Sequence, residues 1–220
     1  MQIQNSPDAV GRKMLSGFLR SDGRKGIRNI VTVVYLVECA HHVAREITAS
    51  FRHQQVHLIG FPGCYPNAYA DKVMRQLLTH PNVGALLLVS LGCESFNKHG
   101  LAQVVQSSGR PVHTITIQQA GGTKTAIEQG TEWVKWAQEQ LLDVPRVPMA
   151  ISELVVATVC GGSDSTSGIT ANPAVGRAFD ALIAQKATCI FEETGERLPV
   201  MISGTVTDAS GRMRYRVRCP

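Results

Sequence analysis

Four of the six cysteines stand at the ends of apolar segments, where a strand would give way to a loop. The segments are VYLVEC, LIGFPGC, LLLVSLGC and VVATVC, which end at Cys39, Cys64, Cys93 and Cys160. A single cysteine in such a place is most often a small buried hydrophobic residue. Four repetitions favour use of at least two thiols as metal ligands or nucleophiles, and clustered soft ligands favour iron or zinc. The spacing is not that of a paired CxxC knuckle, so it indicates an open catalytic site rather than a zinc ribbon.

A segment rich in glycine and hydroxyl residues, CGGSDSTSGITANP (residues 160–173), begins with the last of these cysteines. Glycines let backbone amides converge on an oxyanion, and the hydroxyl groups add further donors. Asn172 followed by Pro173 also fits the start of a helix, which would explain those two residues but not the whole loop. We therefore predict a site for a carboxylate or sulfonate group. Its predicted binding residues are Gly161, Gly162, Ser163, Asp164, Thr170 and Asn172.

A basic segment, RSDGRKGIRN (residues 20–29), leads into the first apolar segment. Arginine binds carboxylates through two parallel hydrogen bonds, so Arg24, Arg28 and Asn29 are predicted substrate-binding residues. A solvated loop of exposed charges is the alternative interpretation. Gly121 and Gly122 form a weaker phosphate signal, because turns need glycine anyway. The stretch around them has no GxGxxG or GxxxxGKS/T pattern, so a dinucleotide or a nucleoside triphosphate is not supported.

Proton transfer would require a base near the same cysteines, and the sequence offers several. Glu38 and Glu94 each adjoin a cysteine, although alternation would point neighbouring side chains in opposite directions. His41, His42 and His99 lie a few residues further on, and histidine changes charge near neutral pH. A histidine in such a place more often just opens a helix. We predict Glu94 or His41 as the general base, and the sequence does not choose between them.

The elements that must position these residues alternate along the chain between short apolar segments and helical segments. Apolar segments occupy residues 29–37, 56–61, 83–91, 111–117, 151–159 and 187–193, and helical segments occupy residues 40–51, 68–79, 101–107, 123–142 and 173–185. Continuous apolar strands predict a sheet that is covered on both faces. The pattern predicts an α/β fold, namely an open, mostly parallel, doubly wound (Rossmann-like) sheet with helices on both faces. Ligands of such sheets bind outside the carboxyl ends of the strands.

Composition limits the classes of partner. The formal net charge is +5 over 220 residues, but lysines and arginines are scattered rather than gathered in a stripe, so we expect no nucleic acid partner. No run of about 18 apolar residues is present, and the first residues lack the apolar core of a secretory signal. We therefore expect a cytoplasmic protein with no membrane partner, whose cysteines are thiols or metal ligands.

Four ordered segments together resemble one known family. They are GFLRSDGRKGIRN (residues 17–29), HPNVGALLLVSLGCE (80–94), IQQAGGTKTAIEQG (117–130) and SELVVATVCGGSDSTSGITANPAVG (152–176). The chain is similar, over roughly residues 17–194, to the altronate and galactarate dehydratase family, which includes a sulfolactate sulfo-lyase subunit. The resemblance implies a lyase that removes water from a sugar acid, or sulfite from sulfolactate. It also implies a cofactor, Fe²⁺ or another divalent metal such as Mn²⁺.

The ends of the chain depart from that resemblance. We predict an N-terminal arm and basic loop over residues 1–28, the α/β domain over 29–194 and an atypical tail over 195–220. Residues 198–212, LPVMISGTVTDASGR, look like a segment of cobalamin-dependent methionine synthase, and the closing MRYRVRCP has no strand or helix signature. Around Cys64 the stretch FPGCYPNAYA favours a branch outside the altronate and galactarate enzymes. We expect a truncated or fused chain that lacks residues supplied by the missing part.

Three hypotheses follow. The first is a metal-dependent lyase whose metal ligands are Cys64, Cys93 and Cys160, with Arg24 and Arg28 on the carboxylate of a small substrate. The second is a non-catalytic anion-binding or assembly fragment that needs the missing C-terminal region or a partner subunit. In either case we expect a homo-oligomer or a complex with a partner subunit. A thiol-based redox protein is the third and weaker hypothesis.

Overall fold

The computed structural model describes residues 15–159, 161–162 and 164–191, and the backbone of two strands, Ile202–Thr207 and Met213–Val217. The chain separates into two compact units, one of residues 16–148 and one that contains residue 149 onward. In the described part of the chain, no helix is long and apolar enough to cross a membrane.

Two short strands open the described chain, and from Ile30 to Met149 strands and helices alternate. The strands are β1 (Leu15–Leu19), β2 (Lys25–Gly26), β3 (Ile30–Tyr35), β4 (Val56–Gly60), β5 (Val83–Ser90), β6 (Val112–Thr116) and β7 (Arg146–Met149). The helices are α1 (Glu38–Ala49), α2 (Ala68–Leu78), α3 (Lys98–Ser107) and α4 (Thr123–Leu142). Asparagine side chains cap α2 and α3 by accepting hydrogen bonds from backbone N–H groups of the first turn, at 2.8 Å and 2.9 Å. β2, β1 and β7 form a small three-stranded sheet in that order.

Four strands form a parallel sheet in the order β4-β3-β5-β6. The chain moves from β3 outward to β4 and then returns to the other side of β3 for β5, so the strand order reverses between β3 and β5. The register places Tyr35 opposite Val89, and Ser90 opposite Thr116, so these strands end together. We call this the carboxyl edge and the opposite one the amino edge. The sheet confirms the predicted open, parallel α/β fold.

Helices cover both faces of this sheet, as the continuous apolar strands predict. One face packs against α1 and α4 through a core that contains Val31, Val33, Ala85, Leu87, Ile47 and Val134. The other face packs against α2 and α3 through a core that contains Val34, Leu86, Leu88, Met74, Leu101 and Val105. All eight residues of β5 are buried because the strand contributes side chains to both cores. β5 is therefore the central element of this unit.

The described strands after Met149 form two further small sheets. β8 (Val155–Thr158) pairs in parallel with β9 (Thr188–Phe191), and the chain between them contains α5 (Ala171–Ala184). The prediction that one sheet edge carries all four cysteines is therefore wrong, because the segment before Cys160 belongs to β8 rather than to the four-stranded sheet. An apolar segment identifies a strand, but it does not identify the strand's partners.

Two local predictions in this unit are also corrected. α5 follows Thr170, so Asn172 lies inside the helix instead of capping it. Pro173 is tolerated there because the first N–H groups of a helix have no intrahelical acceptor. β10 (Ile202–Thr207) and β11 (Met213–Val217) pair antiparallel, although no strand is predicted for residues 213–220. The sequence MRYRV does alternate apolar and basic residues, which is the period of a strand.

We expect Leu87→Ala to lower the free energy of unfolding by about 2–5 kcal/mol, because it leaves a cavity in the middle of β5. Leu87 is 0 % exposed, whereas Leu142, at the end of α4, is 83 % exposed. Leu142→Ala is the matched control, for which we expect a change within about 0.5 kcal/mol. Chemical denaturation followed by circular dichroism measures both, and equal losses would contradict the central place of β5.

Candidate active site

Three of the predicted cysteines stand at the carboxyl edge. Cys39 lies in the first turn of α1 after β3, Cys64 in the loop after β4, and Cys93 in the loop after β5. All three residues are exposed. The backbone N–H of Ser95 donates a 2.9 Å hydrogen bond to the carbonyl of Cys64, which joins the loops after β4 and β5. The edge where the strand order reverses therefore carries these cysteines, as their strand-end positions predict.

The described residues do not complete a metal site by themselves. Within residues 15–159, 161–162 and 164–191, no three His, Cys, Asp or Glu side chains are grouped closely enough to hold one ion. Cys160, the third predicted ligand, lies outside the described residues. Cys64 and Cys93 would supply two thiolates, which is fewer than the three or four protein ligands of a typical zinc site. The predicted ligand set stays a prediction.

Glu94 is held in the turn after β5 as a hydrogen-bonded carboxylate. The backbone N–H of Gly92 donates to its Oε2 at 2.8 Å, and the Ser90 hydroxyl donates to the same carboxylate. Burial raises the pKa of Glu94, but these hydrogen bonds, its own backbone N–H and the charge of Lys98 together lower that pKa below its ordinary value. Glu94 is therefore ionised at neutral pH, and a carboxylate of low pKa is a weak proton acceptor.

The turn that holds Glu94 depends on Gly92. This residue has φ +127°, a conformation that side-chain-bearing residues rarely adopt. A Cβ at this position would lie 2.5 Å from Oε1 of Gln118, in the loop after β6. The backbone conformation therefore favours glycine at this position, and a larger residue would also displace the Gln118 side chain.

Lys98, which is not among the predicted site residues, links the ends of β5 and β6. Its Nζ donates to Oγ of Ser90 at 3.1 Å and to Oγ1 of Thr116 at 3.0 Å. Lys98 is the first residue of α3. A cation there is disfavoured by the helix dipole, by about 0.3–1 kcal/mol. A lysine at the start of a helix is therefore a sequence signal for a special role. The predicted helix begins three residues later, at Leu101, so Lys98 was not recognised as its first residue.

His41 forms a hydrogen-bonded pair with Glu38 in the first turn of α1. Its Nδ1 lies 3.1 Å from Glu38 Oε1, and its ring lies 4.8 Å from the ring of Tyr35 at the end of β3. When a carboxylate accepts the Nδ1–H bond, it orients the ring and leaves Nε2 as a proton acceptor. Of the two predicted bases, His41 therefore has the better geometry. Glu38 supports it from the same helical turn.

The basic loop lies at the amino edge, because it directly precedes β3. Arg24 pairs with Asp22 at 2.6 Å and donates to the carbonyl of Thr79 at 2.9 Å. The backbone N–H of Arg28 donates to Asn82, just before β5. The cysteines lie at the other end of the parallel strands, about 20 Å away for the six residues of β3. The structure does not bring Arg24 and Arg28 together with Cys64 or Cys93.

Asn29 and the buried Arg20 have the same kind of surroundings. Arg20 donates to the carbonyl of Pro81 at 2.7 Å and to Oδ1 of Asn29 at 3.0 Å, and Asn29 donates to the carbonyl of Leu141 at 3.2 Å. Burial, followed by the charge of Arg110, lowers the pKa of Arg20 to about 10. These side chains satisfy backbone carbonyls where the parallel sheet begins, which is a structural role.

In the second unit, the predicted anion loop is held by its own side chains. Asp164 accepts hydrogen bonds from the backbone N–H and the hydroxyl of Thr166, both at 2.7 Å. These bonds lower the pKa of Asp164. Thr170 donates to the carbonyl of Thr166 at 2.9 Å. Gly161, Gly162 and Asn172 are exposed, and Ser163 lies outside the described residues. The part of the loop that is described is therefore a self-bonded turn, and its predicted ligand stays a prediction.

We expect Glu94→Gln to make stability less dependent on acidic pH. Because the folded-state pKa is lowered, the ionised carboxylate stabilises the folded chain above its unfolded-state pKa of about 4.3. That stabilisation is lost as the pH falls through the folded-state pKa. The difference in Tm between the native chain and the variant should be constant between about pH 6 and pH 7 and shrink below about pH 4. Thermal denaturation across this pH range checks the prediction, and a constant difference throughout would refute it.

Comparison with known proteins gives the chain two family matches. Residues 17–141 match the second domain of D-galactarate dehydratase/altronate hydrolase, and residues 151–203 match the C-terminal domain of D-galactarate/altronate dehydratase. The predicted resemblance to this family is confirmed. The predicted resemblance of residues 198–212 to methionine synthase stays a prediction.

Individual relatives agree with these matches. The chain is 34% identical over 196 residues to (2R)-sulfolactate sulfo-lyase subunit beta of Chromohalobacter salexigens, covering 84% of this chain and 48% of the relative. It is 26% identical over 208 residues to altronate dehydratase of Bacillus subtilis, and 28% identical over 208 residues to that of Escherichia coli. Those two matches cover 89% and 88% of this chain, but 41% of each relative. The chain therefore spans less than half the length of these relatives, and it belongs to the D-galactarate dehydratase/altronate hydrolase family.

Proposed function

We propose that the chain takes part in a lyase reaction, removing water from a sugar acid such as altronate or galactarate, or sulfite from sulfolactate. The observation that carries the proposal is the His41–Glu38 pair at the carboxyl edge, with Nδ1 and Oε1 3.1 Å apart. It lies where ligands of an open parallel sheet bind. The names of the family relatives supply the substrate classes.

The reaction begins with removal of a proton from the carbon next to the carboxylate. His41 accepts this proton at Nε2, and Glu38 stabilises the imidazolium that forms. The electron pair of the C–H bond becomes a carbon–carbon double bond as the neighbouring hydroxide or sulfite leaves with the electrons of its own bond. A leaving hydroxide takes up the proton from the His41 imidazolium and becomes water, whereas after loss of sulfite the imidazolium returns its proton to solvent. The enol that remains in either case rearranges to the keto acid. Negative charge grows on the substrate carboxylate during the first step, so a cation or N–H donor beside it lowers the barrier.

Glu94 has a different role in this proposal. Its carboxylate accepts hydrogen bonds from Gly92 and Ser90, and its pKa is lowered, so it stays an anion during the reaction. It fixes the turn after β5 and lies near Lys98 without forming a direct ion pair with it. His41 is therefore the proposed base of the two predicted from the sequence.

We also propose a divalent cation, Fe²⁺ or Mn²⁺, with Cys64, Cys93 and Cys160 as its ligands. The support is the family resemblance and the strand-end positions of the cysteines. The described residues offer no group of three ligands, so no step above depends on the metal. The proposed compartment is the cytoplasm, and the proposed assembly is a homo-oligomer or a complex with a partner subunit.

The second candidate is an anion-binding or assembly module that becomes catalytic only with further protein. Two observations favour it. The chain spans 48% or less of the relatives compared above, and one of them is named as a beta subunit. In that case residues outside this chain would complete the site at the carboxyl edge.

An assay of the anaerobically purified chain separates the two candidates. We expect altronate, galactarate or sulfolactate to be converted when ferrous iron is added, with formation of a keto acid or release of sulfite as the signal. Elemental analysis of the same preparation measures bound metal, and Cys93→Ser should reduce it while Cys189→Ser should not. Conversion without a partner excludes the assembly module, whereas no conversion with any of the acids excludes a self-sufficient lyase.

We expect His41→Gln to lower kcat by about 10²–10⁴-fold, because it removes the proposed general base. The KM for the substrate should change much less, since this group accepts a proton rather than binding the carboxylate. His57→Gln is the matched control, because His57 lies exposed on β4 at a distance along the strand from the carboxyl edge. Steady-state kinetics provide the measurement. A kcat of native size in His41→Gln would remove His41 from the mechanism.

A further inference from the structure

The ammonium group of Lys98 is fixed at the carboxyl edge. Its two acceptors, Ser90 and Thr116, are the last residues of β5 and β6 and lie opposite each other in the sheet register. Ser90 is fully buried, so one of the two anchors cannot move without disturbing the core. The ammonium has three donors, and two are used. Within the described residues, the third has no acceptor.

The charge of Lys98 is not neutralised by a direct ion pair with a described carboxylate. Glu94 is the nearby acid, and its carboxylate accepts its hydrogen bonds from Ser90 and the Gly92 N–H. The Ser90 hydroxyl bridges the two groups, because it accepts a hydrogen bond from Lys98 and donates one to Glu94. The ammonium of Lys98 is therefore oriented by two hydroxyl groups while one N–H remains for another acceptor.

A purely structural link between β5 and β6 would not require this residue. A neutral donor could hold two hydroxyl groups without placing a positive charge at the start of α3, where the helix dipole opposes it. A partly buried cation also loses hydration, which a neutral amide loses to a smaller extent. Both costs are offset when an anion binds to the ammonium.

We propose that Lys98 binds the anionic group, carboxylate or sulfonate, of the hydroxy acid. The inference rests on the proposed function and deepens it by naming the cation that the carboxyl edge provides, since Arg24 and Arg28 lie at the amino edge. The ammonium approaches the ligand beside the turn of Gly92. During proton removal, the same ammonium stabilises the charge that grows on the substrate carboxylate.

Calorimetric titration of the 220-residue chain with galactarate, altronate and sulfolactate tests the proposal. Lys98→Met should weaken the affinity for each acid that binds by at least about tenfold, because it removes a charged hydrogen bond. Thr116→Val keeps the charge but removes one anchor, so its loss should be clearly smaller. Lys72→Met, an exposed lysine on α2, is the control that should bind like the native chain. Thermal denaturation confirms that each variant is folded.

The possible results separate this inference from the lyase assignment. If the native chain binds an acid but converts none, and Lys98→Met loses that binding, the binding role of Lys98 is supported and the proposed lyase reaction is contradicted. If the native chain converts an acid and Lys98→Met keeps the native Kd and KM, the role of Lys98 is overturned and the lyase stands. Equal losses of affinity in Lys98→Met and Thr116→Val would show that Lys98 only links β5 to β6, and would overturn its role in anion binding. If the native chain binds none of the three acids, the proposed role of Lys98 is overturned as well.

Discussion

The larger unit depends on complete burial of one strand. β5 is apolar along nearly its whole length, and side chains of β5 alternate between two faces, so both faces must be covered. Helices α1 and α4 cover one face and α2 and α3 cover the other. Because each helix must return the chain to the amino edge before the next parallel strand, every loop that follows a strand emerges at the carboxyl edge. The burial of β5 thus determines where side chains of the candidate site can stand.

The charged side chains at the two edges of the sheet have different kinds of partner. At the amino edge, Arg20 and Arg110 are buried and donate to backbone carbonyls at Pro81 and Val83, at 2.7 Å and 2.9 Å. Burying guanidinium groups is costly, and these hydrogen bonds to backbone carbonyls offset part of that cost. At the carboxyl edge, by contrast, Lys98 donates to side-chain hydroxyls and His41 pairs with Glu38. The buried arginines and the proposed substrate-binding lysine therefore lie at opposite ends of the strands.

Much of this arrangement follows from the sequence. Continuous apolar segments predict the strands, and the helical segments between them predict a parallel sheet, so three cysteines are correctly expected at the carboxyl edge. The position of the basic loop also follows from chain order, since a loop that leads into β3 must lie at the amino edge. A single site that contains both Arg24 and Cys93 is inconsistent with that chain order, because Cys93 lies at the carboxyl edge. The pairing of β8 with β9 does not follow, because apolar character alone does not select the partner of a strand.

The candidate site was harder to predict than the fold because its contacts join distant residues. Nothing in the spacing of Ser90, Lys98 and Thr116 shows that one ammonium group will meet two hydroxyls. The His41–Glu38 pair is local, three residues apart on one helix, and it becomes visible once α1 is known to begin at Glu38. Helix boundaries are thus the missing information in both cases, since they decide which side chains of a loop face the strand ends.

The alignment of β6 against β5 has a consequence for how this protein can fail. Side chains alternate along a strand, so a slip of one residue would present Ile115 or Ile117 where Thr116 now stands. Neither isoleucine side chain can accept a hydrogen bond from Lys98, whose ammonium group would then lie against an apolar surface. A misaligned sheet would therefore lose the position of Lys98, the proposed anion-binding residue, as well as its packing. The proposed anion binding by Lys98 would thus require the native register of β6 against β5.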